Sequence, residues 1–226
     1  MKYYILDHST EAKIVGTQCP QIQKMVKGYD EEASNSIYLL DKYYEELPPF
    51  TPNLDAFQLH ARSKPTDLLT NVFSNGLVIS KKLKQIFEQY KLCKHTFFEA
   101  TLQHKVKVYN NYYWLHVVSD YTDYVDYSNS KFFIYSNFLH NLGYIKIDSK
   151  ADYATKREKV KKDNPGKTIA IWSERIKFIP NFYEYHLDFF KVGTFSSNIF
   201  ISDKLADTLL QNNITGIVIK DAPVNY

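Results

Sequence analysis

The sequence predicts an α+β fold with a mixed, largely antiparallel sheet, a few helices and two similar strand–Ser cap–helix units. Three observations lead to this fold class. Segments with the two-residue alternation of strands outnumber segments with helical periodicity. The helical segments do not alternate strictly with the strands, which argues against a doubly wound parallel sheet. The motif Ile-Ser, followed by Lys-Leu after one residue, occurs at Ser80 and again at Ser202, 122 positions later (202 − 80).

Each strand–Ser cap–helix unit has a short apolar strand, a serine and an amphipathic helix. Residues 77–79 form the first predicted strand, and Ser80 can cap the helix because its hydroxyl accepts from the free amides of the first turn. Residues 199–201 and Ser202 repeat this arrangement. Apolar spacings of three and four predict the buried helix faces, which are Leu83, Ile86, Phe87 and Tyr90 in the first unit and Leu205, Leu209 and Leu210 in the second. Five identities in fourteen positions are compatible with a duplication or with convergence on a good strand-to-helix joint.

The residues before the first unit are predicted to be less regular. An aromatic and β-branched run opens the chain as a strand over residues 2–7. Residues 8–50 show no clear period, and the prolines at their end stop any helix there. A further strand is predicted over residues 55–61. Residues 1–75 are therefore expected to hold fewer regular elements than the rest of the chain.

Between the two units, alternating segments predict a series of strands. Residues 104–109 and 112–118 are predicted to form a hairpin around Asn110-Asn111, since asparagine tolerates the positive φ of tight turns. Residues 112–118 are apolar enough for a central strand. A polar helix is predicted over residues 148–162, before the chain-breaking Asn164-Pro165-Gly166. The other predicted strands are residues 95–102, 143–147, 168–179, 181–192 and 216–220.

Composition and charge favour a cytoplasmic protein without a nucleic-acid or membrane partner. The chain has 28 basic and 25 acidic residues, whereas nucleic-acid binders usually carry a strongly basic stripe. Cys19 and Cys93 are too few for the disulfide framework of a secreted protein. Asp7 and His8 interrupt the N-terminus before a signal-peptide core forms, and no run approaches the roughly 18 apolar residues of a membrane span. The sequence has no paired-cysteine zinc spacing and no dinucleotide motif, so no cofactor is expected.

One short segment combines acids with the abundant tyrosines of this chain. Three aspartates spaced three apart are each followed by a tyrosine, which gives the set Asp120, Tyr121, Asp123, Tyr124, Asp126 and Tyr127. Carboxylates can bind a hard cation or act as acid and base, but this spacing lacks the glycine and final glutamate of a calcium loop. A solvated turn between strands is the structural alternative. Because tyrosine is enriched at binding hot spots, this acidic–tyrosine turn is also the predicted partner-binding site.

The sequence Gly166-Lys167-Thr168 matches the end of a phosphate-binding loop. The complete motif needs a glycine where Lys161 stands, and it follows a strand and opens a helix. Here a predicted helix precedes the motif and a strand follows, which favours a plain turn. A phosphate- or nucleotide-handling enzyme that combines these residues with Asp123 or Asp126 remains an alternative, as does a structural module that pairs its strand edges with a partner. The basic run over residues 156–162 is expected to be the solvated face of a helix.

Three stretches in order carry a family resemblance over residues 76–220. They are GLVISKKLKQIFEQYKLCKHTFFEATL, YYWLHVVSDYTDYVDYSNSKF and NIFISDKLADTLLQNNITGIVIK. Together they resemble an immunity protein family of bacterial polymorphic toxin systems, the eleventh in the usual numbering and formerly a domain of unknown function. The resemblance implies a cytoplasmic antidote that binds a cognate toxin domain and is not an enzyme. It also implies a division of the chain into an N-terminal part, residues 1–75, which matches weakly and is expected to pack on the main domain, and an immunity-protein-like main domain, residues 76–226. The positions that match recurring family residues, with structural roles expected for most, are Asp126, Ser130, Ser202, Lys204 and Leu205.

Overall fold

Fourteen β-strands and four α-helices form the part of the chain that the structure describes. This computed structural model describes residues 2–43, 45–55, 57–73, 76–137, 140–193, 198–222 and 224–225; Ala56, within the predicted strand 55–61, lies outside them. The strands are β1 Tyr3–His8, β2 Ile22–Met25, β3 Phe57–Leu59, β4 Leu68–Leu69, β5 Gly76–Ser80, β6 His95–His104, β7 Lys107–Val117, β8 Lys131–Ser136, β9 His140–Ile145, β10 Ile169–Lys177, β11 Phe189–Lys191, β12 Ile199–Ser202, β13 Ile217–Asp221 and β14 Val224–Asn225. The α-helices are α1 Ala12–Val15, α2 Lys81–Phe87, α3 Lys150–Lys162 and α4 Asp203–Gln211. None of these described helices combines the length and apolarity needed to cross a bilayer.

The strands form three sheets. The large sheet has the order β2-β3-β6-β7-β5-β4 and contains one parallel pair, β3 with β6. The terminal sheet has the order β11-β12-β1-β13 and is antiparallel throughout. The lateral sheet has the order β14-β10-β8-β9, and only its β10–β14 pair is parallel. The predicted α+β class with mixed, largely antiparallel sheets is confirmed.

The large sheet separates two apolar cores, as side-chain alternation along β7 shows. Leu115 and Val117 belong to the main core, which the large sheet shares with the terminal and lateral sheets. Tyr112 and Trp114 belong to a second core on the opposite face. Successive side chains of a strand point to opposite faces, so a strand buried on both faces needs apolar residues throughout. The prediction of a central strand here is confirmed, since β7 lies between β6 and β5.

Both predicted strand–Ser cap–helix units are present. The prediction that Leu210 lies on the buried face of the second helix is wrong: Leu210 is 60% exposed, because it lies about 100° further around the helix than the buried Leu209. The hydroxyl of Ser80 accepts a hydrogen bond from the Leu83 N–H at 3.2 Å, and that of Ser202 accepts one from the Leu205 N–H at 3.2 Å. Each serine satisfies an amide of the first turn that has no partner within the helix, and such a cap contributes about 1 kcal/mol. The caps therefore explain why α2 and α4 begin directly after their strands.

The hairpin predicted around Asn110-Asn111 is wrong in position. The chain reverses at Lys105 and Val106 instead, where Lys105 adopts a φ of 54°. Asn110 and Asn111 lie inside β7, where the strand register shifts opposite Thr101. Two residues then oppose one, which is a β-bulge. Asparagine tolerates this irregular backbone, but the irregularity does not reverse the chain.

The strand predicted over residues 181–192 is wrong in its first half. Pro180–Tyr185 is a 3-10 helix, and β11 begins only at Phe189. Proline at the first helical position favours this start, because its φ is already helical and its missing N–H costs nothing there. His186 then ends the helix in the left-handed conformation, with a φ of 47°. The polar helix predicted over residues 148–162 is confirmed as α3, which begins after the capping Ser149.

Backbone pairing joins the predicted N-terminal part to the predicted main domain. β1 lies between β12 and β13, so a strand of the N-terminal part completes the terminal sheet. β3 pairs with β6 in the large sheet. The division at residue 75 stays a prediction.

Candidate functional site

The acidic–tyrosine turn, residues 120–127, leaves the large sheet after β7 and leads to β8 of the lateral sheet. Two 3-10 helices shape it, Thr122–Tyr124 and Tyr127–Asn129. Its backbone is bonded to the chain after β10: the Asp126 N–H donates to the Lys177 carbonyl at 2.8 Å, and the Ile179 N–H donates to the Tyr124 carbonyl at 2.9 Å. The six predicted residues therefore lie on one anchored turn.

Asp120 ties the turn to α3. Its Oδ1 accepts a hydrogen bond from the Thr122 N–H at 3.0 Å, and its Oδ2 accepts one from Lys150 Nζ at 2.6 Å. Partial burial alone would raise the pKa of Asp120, but the hydrogen bonds from Lys150 and Thr122 outweigh it and lower the pKa. Asp120 is therefore a structural carboxylate that is already paired with the ammonium group of Lys150.

Asp126 caps the second 3-10 helix. Its carboxylate accepts from the Asn129 N–H at 3.2 Å, from Asn129 Nδ2 at 2.8 Å and from Ser128 Oγ at 2.7 Å. These hydrogen bonds, those of Asn129 first, lower the pKa of Asp126. Ser130 Oγ donates to the Asp126 carbonyl at 2.7 Å and accepts from the Lys177 N–H at 3.0 Å. The structural roles expected for Asp126 and Ser130 agree with these contacts.

Tyr121 and Tyr127 hold the turn against the main core. The ring of Tyr121 meets Phe182 at 5.4 Å and Phe190 at 6.0 Å, edge to face in both cases. The ring of Tyr127 stacks on Phe132 at 6.1 Å, and its hydroxyl donates to the Thr122 carbonyl at 2.9 Å. Burial raises the pKa of both phenols. These two tyrosines give most of their surface to packing.

Asp123 and Tyr124 of the turn form a solvent-facing surface together with Tyr185, and we call these three residues the exposed edge. The Asp123 side chain is 74% exposed and lies 3.7 Å from Lys150 Nζ. The hydroxyls of Tyr124 and Tyr185 are hydrogen-bonded to each other, and their rings meet at 5.3 Å. Tyr185 is 39% exposed and comes from the 3-10 helix 61 residues further along. No spacing in the sequence points to Tyr185, so sequence reasoning missed it.

The exposed edge has the chemistry of a contact surface. The largely exposed carboxylate of Asp123 and two adjoining phenols can exchange hydrogen bonds with a partner, and the rings add apolar area. Among the described residues, those of this turn included, no group of three or more His, Cys, Asp or Glu side chains is arranged for a metal ion.

The Gly166-Lys167-Thr168 sequence forms a turn between a helix and a strand. It follows α3 and precedes β10, in the order that the sequence predicts. The Lys167 N–H donates to the Asn164 carbonyl at 3.3 Å, and Gly166 has a φ of 75°. A phosphate loop would precede a helix, whose free amides bind the anion.

The basic run over residues 156–162 lies on α3, whose buried residues are Tyr153 and Val160. Lys156 Nζ bonds to Asp152 Oδ2 at 2.6 Å and to the Lys146 carbonyl at 2.7 Å. The other basic residues of the run are exposed, as expected. Exposed pairs of this kind contribute little to stability.

The remaining positions of the resemblance belong to the second strand–Ser cap–helix unit. Ser202 is the helix cap and Leu205 is fully buried. Lys204 is exposed, and its carbonyl accepts a hydrogen bond from the Tyr90 hydroxyl at 3.4 Å. Ser202 and Leu205 therefore have structural roles.

A comparison with known protein families gives one result. The model of an immunity protein family (Imm11) matches residues 3–224. The match runs from the first residue of β1 to the first residue of β14, so it includes all three sheets. No curated protein matches the chain.

Proposed function

The chain belongs to the Imm11 immunity protein family, and from this premise we propose that it is a non-catalytic protein that binds a cognate bacterial toxin domain and neutralises it. The observation that carries the proposal is the family match over residues 3–224. The proposed partner is a protein, and neither a nucleic acid nor a membrane. The proposed compartment is the cytoplasm, in keeping with two cysteines that are both unpaired. A protein that inhibits the toxin by binding to its surface needs no cofactor.

The proposed toxin contact is the acidic–tyrosine turn, with the exposed edge at its centre. Tyr124 and Tyr185 already touch each other, so less rotamer freedom is left to lose when a partner covers them. The exposed carboxylate of Asp123 suits a basic group on the toxin, and such a charge acts mainly on the association rate. The other four residues of the turn hold this surface in place through the contacts described above; they are Asp120, Tyr121, Asp126 and Tyr127.

Calorimetry with the neighbouring toxin tests both parts of the proposal. The genes that flank this one are searched for a toxin-like reading frame. Its C-terminal domain is titrated into the wild-type protein and into the triple variant Asp123→Ala/Tyr124→Ala/Tyr185→Ala. The wild type is expected to bind one to one with nanomolar affinity. If each tyrosine is a hot spot that costs about 2 kcal/mol on truncation, the variant binds several hundred-fold more weakly.

The matched control is Tyr144→Ala, which truncates a tyrosine that is 67% exposed on β9, outside the turn. Its affinity is expected to equal that of the wild type. A toxin domain that does not bind the wild-type protein, and whose toxicity co-expression does not relieve, contradicts neutralisation itself. Wild-type affinity in the triple variant contradicts only the choice of surface.

Thermal unfolding tests the proposal of a non-catalytic role against the phosphate-handling alternative. A ligand that binds only the native state must raise the melting temperature. The proposal expects no rise with ATP, GTP or divalent cations. A rise that Lys167→Ala abolishes would support the enzyme instead.

A further inference from the structure

We propose that the protein is built from two copies of one five-element repeat, and that its first strand, β1, is the last strand of the second copy. The first repeat consists of β4, β5, α2, β6 and β7, and the second of β11, β12, α4, β13 and β1. The strand order is β4-β5-β7-β6 in the first and β11-β12-β1-β13 in the second. Neighbouring strands are antiparallel at every step in both. The repeats therefore share one topology. In the first repeat the five elements follow one another in the sequence, whereas in the second repeat the fifth element, β1, precedes the other four.

The register between the central strands is the same in both repeats. Ser80 at the end of β5 faces Tyr112 of β7, and Ser202 at the end of β12 faces Tyr3 of β1. Both tyrosines open a Tyr-Tyr-x-Leu sequence, YYWL in β7 and YYIL in β1. β1 and β7 thus occupy equivalent positions with equivalent side chains, although one opens the chain and the other is in its middle.

The register on the other side of the central strand agrees with this. The leucine of the shared sequence, Leu115 in β7 and Leu6 in β1, faces Phe97 and Ile219 respectively. The separation of these two partners is 122 residues (219 − 97), the same as the separation of the two capping serines. A single shift therefore relates strand, helix and next strand without an insertion. A slip of one residue anywhere would have turned every side chain to the other face.

An aspartate supports the cap in each repeat. Ser80 Oγ donates to Asp67 Oδ1 at 2.7 Å, and Ser202 Oγ donates to Asp188 Oδ1 at 2.7 Å. The backbone repeats the pattern, since the serine N–H donates to the aspartate carbonyl at 2.8 Å in the first case and 2.9 Å in the second. Each aspartate directly precedes the short edge strand of its repeat. A charged acceptor fixes the serine hydroxyl so that its lone pair faces the helix amide.

The contacts between the repeats are reciprocal. Lys82 Nζ of the first repeat donates to the Asn212 carbonyl of the second at 2.6 Å, and the Tyr90 hydroxyl of the first donates to the Lys204 carbonyl of the second at 3.4 Å. The 122-residue shift converts Lys82 into Lys204 and Tyr90 into Asn212. Exchanging the repeats therefore exchanges these two residue pairs, although a lysine side chain donates in one pair and a tyrosine hydroxyl in the other. Pairs of residues that exchange in this way are the property of an isologous interface about a two-fold axis.

The aspartates complete this pattern. Asp67 Oδ2 accepts from the Thr215 N–H at 2.9 Å, and Asp188 Oδ2 accepts from the Lys91 N–H at 3.0 Å. Thr215 follows the helix of the second repeat, and Lys91 follows the helix of the first. Each aspartate thus joins its own cap to the loop after the other helix. Convergence on a good strand-to-helix joint accounts for the two serine caps, but it does not account for shared register or reciprocal contacts.

The two repeats differ in how the strands equivalent to β6 and β7 are connected. In the first repeat a turn at Lys105 joins the two strands that correspond to β13 and β1. In the second repeat no turn joins the two strands, because β1 and β13 lie far apart in the sequence. Tyr4 and Asp221 are nevertheless register partners, and Lys2 Nζ lies 3.4 Å from Asp221 Oδ1. The segments between the repeats, residues 9–66 and 118–187, also leave equivalent strands. The acidic–tyrosine turn lies at the start of the second of these segments. The proposed toxin contact therefore belongs to a segment between the repeats and not to a repeat itself.

A circular permutant tests whether β1 closes the second repeat. Ala222 is joined to Tyr3 through Asn-Gly, the preferred two-residue hairpin turn, and new ends are opened between the exposed residues Thr10 and Glu11. In the resulting hairpin Tyr3 and Ala222 flank the turn, next to the pair of Tyr4 and Asp221 that already exists between β1 and β13. The expected result is one cooperative urea transition, with the same midpoint as a linear chain of residues 3–222. That linear chain is the matched reference because it also lacks the residues at both ends.

A second permutant has the same closure but opens between Ser80 and Lys81, where it separates the cap from its helix. It is expected to unfold at a lower urea concentration than the first permutant. The proposal is overturned if the permutant opened after Thr10 does not fold while the linear chain does, or if the two permutants are equally stable. The first outcome shows that β1 does not continue β13, and the second shows that the repeat is not a structural unit.

Discussion

Gly76→Ala is the substitution that most directly tests how the large sheet packs. A Cβ at residue 76 would lie 2.1 Å from Cε2 and from Cζ2 of Trp114. The φ of Gly76 lies outside the left-handed region, so lack of space, and not backbone conformation, is what requires glycine here. Trp114 is fully buried and stacks on Phe57 with 6.1 Å between ring centroids.

The cost follows from the overlap. Carbon atoms in good contact are about 3.5–4.0 Å apart, so the indole ring or the strand must move by roughly 1.5 Å. Overpacking in a filled core typically costs about 1–3 kcal/mol. Trp114 is enclosed on every side, so we expect the free energy of unfolding to fall by about 3 kcal/mol, a large share of the roughly 5–15 kcal/mol that stabilises a domain.

Urea unfolding followed by circular dichroism measures this loss, and a double-mutant cycle identifies its cause. Trp114→Ile introduces the residue that the second repeat has at the equivalent position, Ile5, where Asn198 takes the place of Gly76. Trp114→Ile alone leaves a cavity and is destabilising. The double variant with Gly76→Ala should be at least about 1 kcal/mol more stable than the sum of the single changes predicts.

Gly28→Ala is the control, because a Cβ there meets nothing within 4 Å and only its φ of 91° is unfavourable. Its effect should be independent of Trp114→Ile. The packing argument is refuted if Gly76→Ala is within about 0.5 kcal/mol of the wild type, the ordinary range for harmless surface changes. Strict additivity with Trp114→Ile refutes it as well.

Three further outcomes are expected. Ser80→Ala and Ser202→Ala should each lower the free energy of unfolding by about 1 kcal/mol in urea titrations, since each removes a helix cap; no change in either would refute the capping role. Burial raises the pKa of Cys93 to about 11, so at mildly alkaline pH a thiol reagent should modify the exposed Cys19 readily and Cys93 only after denaturation; equal rates would contradict this. Burial lowers the pKa of His116, so as the pH falls below about 6.5 the unfolded chain takes up the proton first and stability is lost. Stability measured between pH 7 and 5 should therefore decrease, and less so in His116→Gln; an identical pH dependence in the variant would show that His116 is not responsible.

Features that depend only on neighbouring residues could be predicted from the sequence. The serine caps at Ser80 and Ser202 follow from one side chain and the amides three residues later, and the helix over α3 follows from its cap and its chain-breaking end. The apolar run of β7 already identifies a strand buried on both faces, because side-chain alternation is a local property. The fold class follows from counting such segments.

Contacts between distant residues could not be predicted in this way and are known from the fold. Tyr185 adjoins Tyr124 across 61 residues, and β1 lies between strands from the other end of the chain. Asn110 and Asn111 have the composition of a turn, yet the pairing of β6 with β7 makes them a bulge. Local sequence specifies backbone conformation and which side chains prefer burial, but many pairings satisfy those preferences. The choice among them comes from side-chain packing and hydrogen bonding over the whole molecule, and the exposed edge and the two-fold arrangement of the repeats exist only once that choice has been made.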